Sequence, residues 1–337
     1  MNILAVDTAG KTLGVALLQD DRLKYECYLD GGMTHSETLM PLVDHCLKLC
    51  GLTCADIDLF GVNAGPGSFT GLRIGLAAVK GLAFPRETLC APVSTLEALA
   101  AAHTGEGTAM CRLDDRLLYE VYLDAGMTHS ETLMPMIDTC LKMCGMTCAD
   151  IDLYGVNAGP GSFTGLRIGL AAVKGLAFPR ETLCAPVSTL EALAAAHTGE
   201  GTVLCALDAR RAQVYSAAFD LATHTRLLDD DARAVADLAQ FVENCKKPLF
   251  FVGDGASLCY NKYSNVPGVL TVPPELRGGR AAAVALVAKQ MAQRGEAVLP
   301  EALLPDYHRL SQAERERAER LAAEAAARNN DTENGKD

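Results

Sequence analysis

The sequence predicts an α/β protein with two lobes, on three observations. Apolar strand-like runs come first as a meander and then alternate with amphipathic helical runs, the pattern of a lobe built on a mixed sheet. The 337 residues suffice for about two domains at roughly 150 residues each. One long segment occurs twice, residues 22–115 and 116–209, with 13 differences over 94 positions. Several of the differences conserve volume, as in Val43/Ile137, Leu49/Met143, Leu52/Met146 and Phe60/Tyr154, the kind of swap that cores tolerate best. Two copies of this length are not a solenoid, whose repeats run ~20–50 residues and stack in threes or more. Residues 1–21 and 210–337 occur once, and removing one copy leaves 243 residues.

The elements come in order along the chain. Residues 3–7 and 12–18 are apolar runs around Ala9-Gly10-Lys11, which predicts a hairpin. Residues 23–29 alternate and predict a third strand. Thr34 or Ser36 caps a helix over 36–50 that Gly51 stops. Residues 57–63 read as a strand, Gly65 to Gly71 as a loop opening a helix near 71–83, then a strand at 88–93 and a helix at 94–103. The second copy repeats this from its third strand onward and lacks the first two strands. Residues 203–208 and 212–219 predict a hairpin, 280–294 a helix, and 311–328 a charged helix before a polar tail, predicted to be disordered. The domain expectation is a first lobe over 1–110, a partial copy over 116–202, and a smaller lobe over 203–300. A C-terminal segment over 301–328 and the tail over 329–337 complete it.

Two helices are more apolar than one sheet requires. On 36–50, at 100° per residue, apolar side chains cover an arc of about 180°, against the ~100° stripe of a one-sided helix. On 71–84 the only charges are Arg73 and Lys80, and Gly75, Ala77, Ala78 and Gly81 form a small-residue side. Either these helices pack on each other and their own sheet, or they offer a helix–helix docking surface.

Composition narrows the function. Formal net charge is −12, against a surface that grips nucleic acid unaided, since phosphate binding needs clustered cations. No apolar run approaches the ~18 residues of a membrane span, and the N-terminus carries no basic region of a signal peptide. The 13 cysteines are an odd number and include no Cys-x-x-Cys, so the expectation is a reduced, cytoplasmic protein with buried thiols. Cys46, Cys50 and Cys54 recur at four-residue spacing, as do Cys140, Cys144 and Cys148, which does not suit structural zinc. No His-x-x-x-His occurs among the seven histidines. The run Gly65-Pro66-Gly67-Ser68-Phe69-Thr70-Gly71 comes after a strand and opens a helix, where free N–H groups hold anions in other proteins. Its spacing fits neither nucleotide fingerprint, and a tight turn is the plainer reading. Asp7 stands in a hairpin turn, where it either orients a nucleotide's metal or serves the turn.

Taken together, Ile3-Leu4-Ala5-Val6-Asp7-Thr8, His35-Ser36-Glu37, and the run from Asn63 through Gly75 closely resemble the TsaB (YeaZ-like) family. Pro92-Val93-Ser94, Leu207-Asp208-Ala209-Arg210 with Val214-Tyr215, and Gly253-Asp254-Gly255 carry the resemblance further. It covers nearly the whole chain apart from the extra copy and the tail. It implies an actin/Hsp70-like (ASKHA) fold with the N-terminal lobe segment duplicated. It also implies a non-catalytic dimerisation subunit of the bacterial machinery that makes threonylcarbamoyladenosine (t6A) beside the tRNA anticodon.

The implied partner is a TsaD-type catalytic subunit, with a TsaE-type ATPase, a homodimer as a further arrangement, and tRNA reached only indirectly. No cofactor, metal or catalytic residue is expected. Thr95 and Leu99, and Thr189 and Leu193 in the second copy, stand where TsaD holds its metal with two His, and Leu cannot ligate one. The partner-binding helices would use Leu39, Leu42, Val43, Cys46, Leu49, Leu72, Gly75, Ala78, Val79 and Leu82. In the second copy the matching residues are Leu133, Met136, Ile137, Cys140, Met143, Leu166 and Gly169. Asp7, Gly65, Gly67 and Gly71 would be a degenerate nucleotide loop.

The family carries the segment once, so both copies cannot be complete. The partial copy is expected to expose a sheet edge, and its helices over 130–144 and 165–177 to dock on 36–50 and 71–83 in imitation of a dimer. The competing readings are an ATP-using kinase or carbamoyltransferase of the same superfamily, and a misassembled product without function.

Overall fold

A computed structural model describes residues 1–308 apart from 21, 31–33, 95–107, 114–115, 124–127, 271 and 274–276. The alternating apolar residues at the N-terminus build β1 (Asn2–Asp7), β2 (Leu13–Gln19) and β3 (Arg22–Leu29) as an antiparallel meander. Leu4, Val6, Leu13, Val15, Leu17, Tyr25 and Cys27 turn to one buried face. The strand β4 (Leu59–Gly65) runs parallel to β1, and β5 (Leu89–Ser94) parallel to β4. Two helices cover the sheet. In α1 (His35–Leu49) the Thr34 and Glu37 side chains form a capping box, and Gly51 comes after the helix at φ 66°. In α2 (Phe69–Ala83) the Ser68 hydroxyl accepts from the Gly71 N–H.

The second copy enters this sheet. Its strand β7 (Arg116–Leu123) pairs antiparallel with β3, and β6 (Thr108–Leu113) pairs with β7. The sheet therefore has seven strands in the order β5-β4-β1-β2-β3-β7-β6. At the junction Cys27 lies opposite Val121, which are equivalent positions of the two copies. A local two-fold axis thus passes between β3 and β7. The helix α3 (His129–Met143), equivalent to α1, shares one core with it, and Thr139 Oγ1 lies 3.2 Å from its own equivalent position, His45 Nδ1.

The partial copy expected over 116–202 is divided. Its β7 and α3 belong to the first sheet, while β8 (Leu153–Gly159) and β9 (Leu183–Ser188) form a separate parallel pair. Its second long helix, α4 (Phe163–Ala177), packs on β8 and β9 with Leu303, rather than reproducing the expected docking on α2. The reason lies in the missing strands. Without a β1 equivalent to bridge them, the meander half of the copy joins the free edge of β3, and β8 has no continuous sheet to join.

The second lobe begins after the short helix α5 (Thr189–Ala195). The strands β10 (Thr202–Asp208), β11 (Gln213–Asp220) and β12 (Arg226–Ala234) are antiparallel. Two further strands, β13 (Leu249–Val252) and β14 (Val269–Leu270), add in parallel on the β10 side. The order β12-β11-β10-β13-β14 is the order of β3-β2-β1-β4-β5. Two lobes with one strand order are the arrangement of the actin-like fold. The helices α6 (Ala239–Asn244) and α7 (Ala256–Tyr263) belong to this lobe. The last described helix, α8 (Ala281–Gln293), leaves it to pack on β8 and β9. The buried Glu120 carboxylate of β7 accepts from the Ala282 N–H at 2.9 Å and pairs with Arg280, which fixes the start of α8. The expected helices over 94–103 and 311–328 and the tail over 329–337 lie, from residue 95 and from residue 309, outside the described residues.

Candidate docking face and glycine-rich loops

The glycine-rich run occurs twice with one sequence, and the two copies stand in different surroundings. In the first, the Ser68 N–H donates to the Ala9 carbonyl at 2.6 Å. A Cβ at Gly67 would lie 2.5 Å from that carbonyl oxygen, one at Gly71 2.0 Å from the Thr8 carbonyl oxygen, and one at Gly75 2.4 Å from Thr8 Oγ1. These glycines are required because the turn between β1 and β2 presses against the loop. The loop's concave side is filled by the chain itself, and the Asp7 carboxylate accepts from the Ala9 N–H at 2.9 Å. Gly65, at φ 124°, ends β4 where the backbone turns toward α2. Asp7, Gly65, Gly67 and Gly71 therefore form a closed turn, in place of the phosphate cradle weighed from their spacing.

In the second copy no described residue presses on the loop glycines Gly161, Gly165 and Gly169 as Thr8 and Ala9 do on theirs, and Asp306 abuts Gly159 instead. A Cβ at Gly161, Gly165 or Gly169 would meet only Leu166, Ser162 or Val156, at ordinary contact distances of 3.5 Å or more. This loop borders a cavity of about 1130 Å³ between β6, α3, β8, α4 and α8. Leu133, Ile137, Tyr154, Val156 and Asn157 line it and are half-buried, while their equivalents Leu39, Val43, Phe60, Val62 and Asn63 are buried. Tyr154 Oη, Asn157 Oδ1 and Thr189 Oγ1 are buried in its walls without a hydrogen-bond partner among the described residues. From the other lobe Asp208, Arg210, Tyr215 and Asp254 also reach its rim. Phe163 is stacked on Tyr307 at 4.3 Å, with Arg167 over the Phe163 ring.

The helices weighed as partner-binding surfaces are mostly core. Leu39, Leu42, Val43, Cys46 and Leu49 are buried, and so are Gly75 and Val79; Leu72, Ala78 and Leu82 are half-buried. In the second copy Met136, Cys140 and Leu166 are buried, and Leu133, Ile137, Met143 and Gly169 are half-buried. The wide apolar arc of α1 is satisfied inside the chain, by its sheet and by the core it shares with α3. What stays outside is different. Arg73, Ala77, Lys80 and Gly81 form the exposed side of α2, and nothing lies within 4 Å of a Cβ at Gly81. Phe69 and Phe84 flank it, 73% and 84% exposed, with Leu89 beyond. Met40 is an exposed apolar residue of α1.

The titratable groups of this region are set by burial. Burial pushes the Cys27 thiol up to about 12 and the Cys46 thiol up as well. Such thiols are small apolar packing groups rather than nucleophiles. His45 is pushed below the ordinary imidazole range, first by burial, with Lys48 adding to the shift and Asp44 and Asp138 opposing it.

A family model described as "TsaD: tRNA N6-adenosine threonylcarbamoyltransferase" matches residues 32–114 and 123–316. The chain belongs to this family. Within it, the chain is similar to proteins called "tRNA threonylcarbamoyladenosine biosynthesis protein TsaB". That of Bacillus subtilis is 29% identical over 65% of this chain and 96% of its own length. Those of Haemophilus influenzae and Escherichia coli are 36% and 38% identical over 38% and 36% of this chain, and the chain spans about half of each, 52% and 53%. Among solved structures, a Pseudomonas aeruginosa protein with similarity to peptidase YeaZ is 19% identical, with 91% of this chain and 99% of that chain covered and a TM-score of 0.35. YeaZ from the same organism is 20% identical with the same coverage and a TM-score of 0.33.

At the TsaD metal positions weighed from the sequence, Thr95 and Leu99 lie outside the described residues. Thr189 lines the cavity, and Leu193 is buried among Leu190, Val203 and Phe219. Sequence reasoning missed the cavity and a half-buried ionic cluster. In that cluster Arg226 pairs with Asp230 and with Glu191 at 2.9 Å, Ser188 Oγ donates to Asp230 at 2.5 Å, and the guanidinium lies over Phe219. The cluster ties α5 to β12; the spacing of these residues along the chain, up to 42 positions, carries no signal.

Proposed function

We propose that this chain is a TsaB-type scaffold that docks a TsaD-type threonylcarbamoyltransferase during t6A formation and performs no step of the reaction itself. The outer side of α2 in the first copy supports the docking. Ala77 and Gly81, one turn apart, let a partner helix approach closely, and Phe84, Phe69 and Leu89 offer apolar surface around them. The names of the similar proteins supply the pathway. The closed glycine-rich turn of the first copy supports a role without nucleotide chemistry. With a net charge of −12, contact with tRNA runs through the partner. A TsaE-type ATPase joins the same assembly through the TsaD-type subunit.

The test is calorimetric titration of a TsaD-type subunit into the full chain. Gly81→Arg places a cation in the middle of the α2 face and should weaken binding at least tenfold. Gly175→Arg, at the equivalent position of α4, is equally open and should leave it unchanged. Weakening by Gly175→Arg alone would assign the docking to the second copy, and no binding by the unaltered chain would refute the reading.

A further inference from the structure

We infer that the cavity beside β8 is an acceptor slot for one extended peptide strand supplied in trans, with the chemistry of this chain's own Met1–Gly10. The register of the second meander carries the inference. Met110 opposes Glu120 as Ala16 opposes Glu26, and both pairs of strands break register at the same place, between Cys111 and Arg112 and between Leu17 and Leu18. So β6 and β7 stand as β2 and β3 do. Likewise β8 and β9 pair as β4 and β5 do, residue for residue. What the first copy has between the matching pairs, and the second lacks among the described residues, is one strand, the equivalent of β1.

In the first copy that place shows what fills it. There β1 runs antiparallel to β2 and parallel to β4, with Ala5 against Gly61 and the Thr8–Ala9 turn against Gly67, Gly71 and Gly75. In the second copy β6 and β8 pair with no strand on this side among the described residues; Gly161, Gly165 and Gly169 face the cavity, while Gly155 packs against Ala288 of α8. Among the described residues neither edge along the slot has a strand partner, the requirement for strand addition, and Asp306 reaches only the end of β8, where its N–H donates to the Ala158 carbonyl. The helices α3 and α4 cover one side with the residues that cover β1 and β2 in the first copy, and Val284, Ala285 and Ala288 of α8 line the slot as well. The occupant has Leu and Val at alternate positions toward α3 and α4, a small residue beside Gly155, and Asp-Thr-Ala at its end against Gly161 and Gly165.

The probe is a synthetic Met1–Gly10 peptide, fluorescent at its C-terminus, titrated with the full chain and followed by anisotropy. The expected result is saturable binding of one peptide per chain, absent for a scrambled peptide. Gly165→Ala and Gly161→Ala fit the free chain without a clash, yet each would meet a seated strand where Gly71 and Gly67 meet Thr8 and Ala9. Each should weaken peptide binding at least tenfold while leaving the melting temperature of the chain unlowered. No saturable binding, binding shared by the scrambled peptide, or binding indifferent to both variants would overturn the inference. Self-association of the chain that the peptide fails to reverse would assign the slot to a second copy and overturn it too.

Discussion

At the residue scale, identical residues in two settings separate sequence from environment. Gly71 and Gly165 both occupy the first turn of a helix, and only Gly71 abuts a backbone carbonyl. Gly71→Ala should destabilise the chain by about 2–3 kcal/mol, because the β1–β2 turn must move to admit a methyl group. Gly165→Ala should be neutral or stabilising by up to ~1 kcal/mol, since alanine is the better helix former. Urea unfolding midpoints of the two variants check this; equal losses would show that the loops share one environment. His45 makes a second prediction. Its folded-state pKa is lowered, so below the unfolded value of about 6.5 the unfolded chain binds more protons, and stability falls as pH drops toward the folded value. His197 is lowered by burial too and adds to the same trend. His45→Gln should therefore flatten part of the loss between pH 7 and 5, read from melting curves, and leave the His197 share. A variant with the full wild-type pH slope would remove His45 from the account.

At the element scale, the strands show how much of a structure a sequence pattern specifies. The hairpin over 3–7 and 12–18, the helices over 36–50 and near 71–83, and the strand over 57–63 were legible, because alternation, caps and glycines act locally, although β4 runs on to Gly65 and α2 already starts at Phe69. The partners of β6 were not. It is the counterpart of β10 in the repeat, yet β10 occupies the centre of the second lobe, whereas among the described residues β6 pairs only with β7. One strand of the repeat serves as an edge or a centre according to the residues that come after it in the chain. Nor was the burial of α1 legible. Its broad apolar arc reads equally as a docking face or as a helix covered twice, and α3 decides between them. Helix α8 depends on a contact 160 positions away, between Glu120 and Arg280. Glu120→Ala leaves the Ala282 N–H and the Arg280 guanidinium without their acceptor and should cost about 2–3 kcal/mol. It should also speed hydrogen exchange in the first turn of α8 more than in α1. Uniform protection across both helices would contradict that link.

At the scale of the whole molecule, the two copies are arranged about the β3–β7 junction as halves of a dimer would be, with Cys27 opposite Val121 and His45 beside Thr139. The sequence showed the repeat and the two-lobed size, and the strand order of the second lobe completes the actin-like arrangement. The asymmetry comes from a single strand. Because β1 occurs once, the first copy is a finished lobe with α2 facing outward, and the second is divided around a cavity. On the proposed function, one finished lobe implies one working docking face. The measurement that tests this most directly is the mass of the complex formed with a TsaD-type subunit, by light scattering after gel filtration. One partner per chain is the result the account predicts. Two partners per chain, or a chain that elutes alone beside the partner, would contradict it.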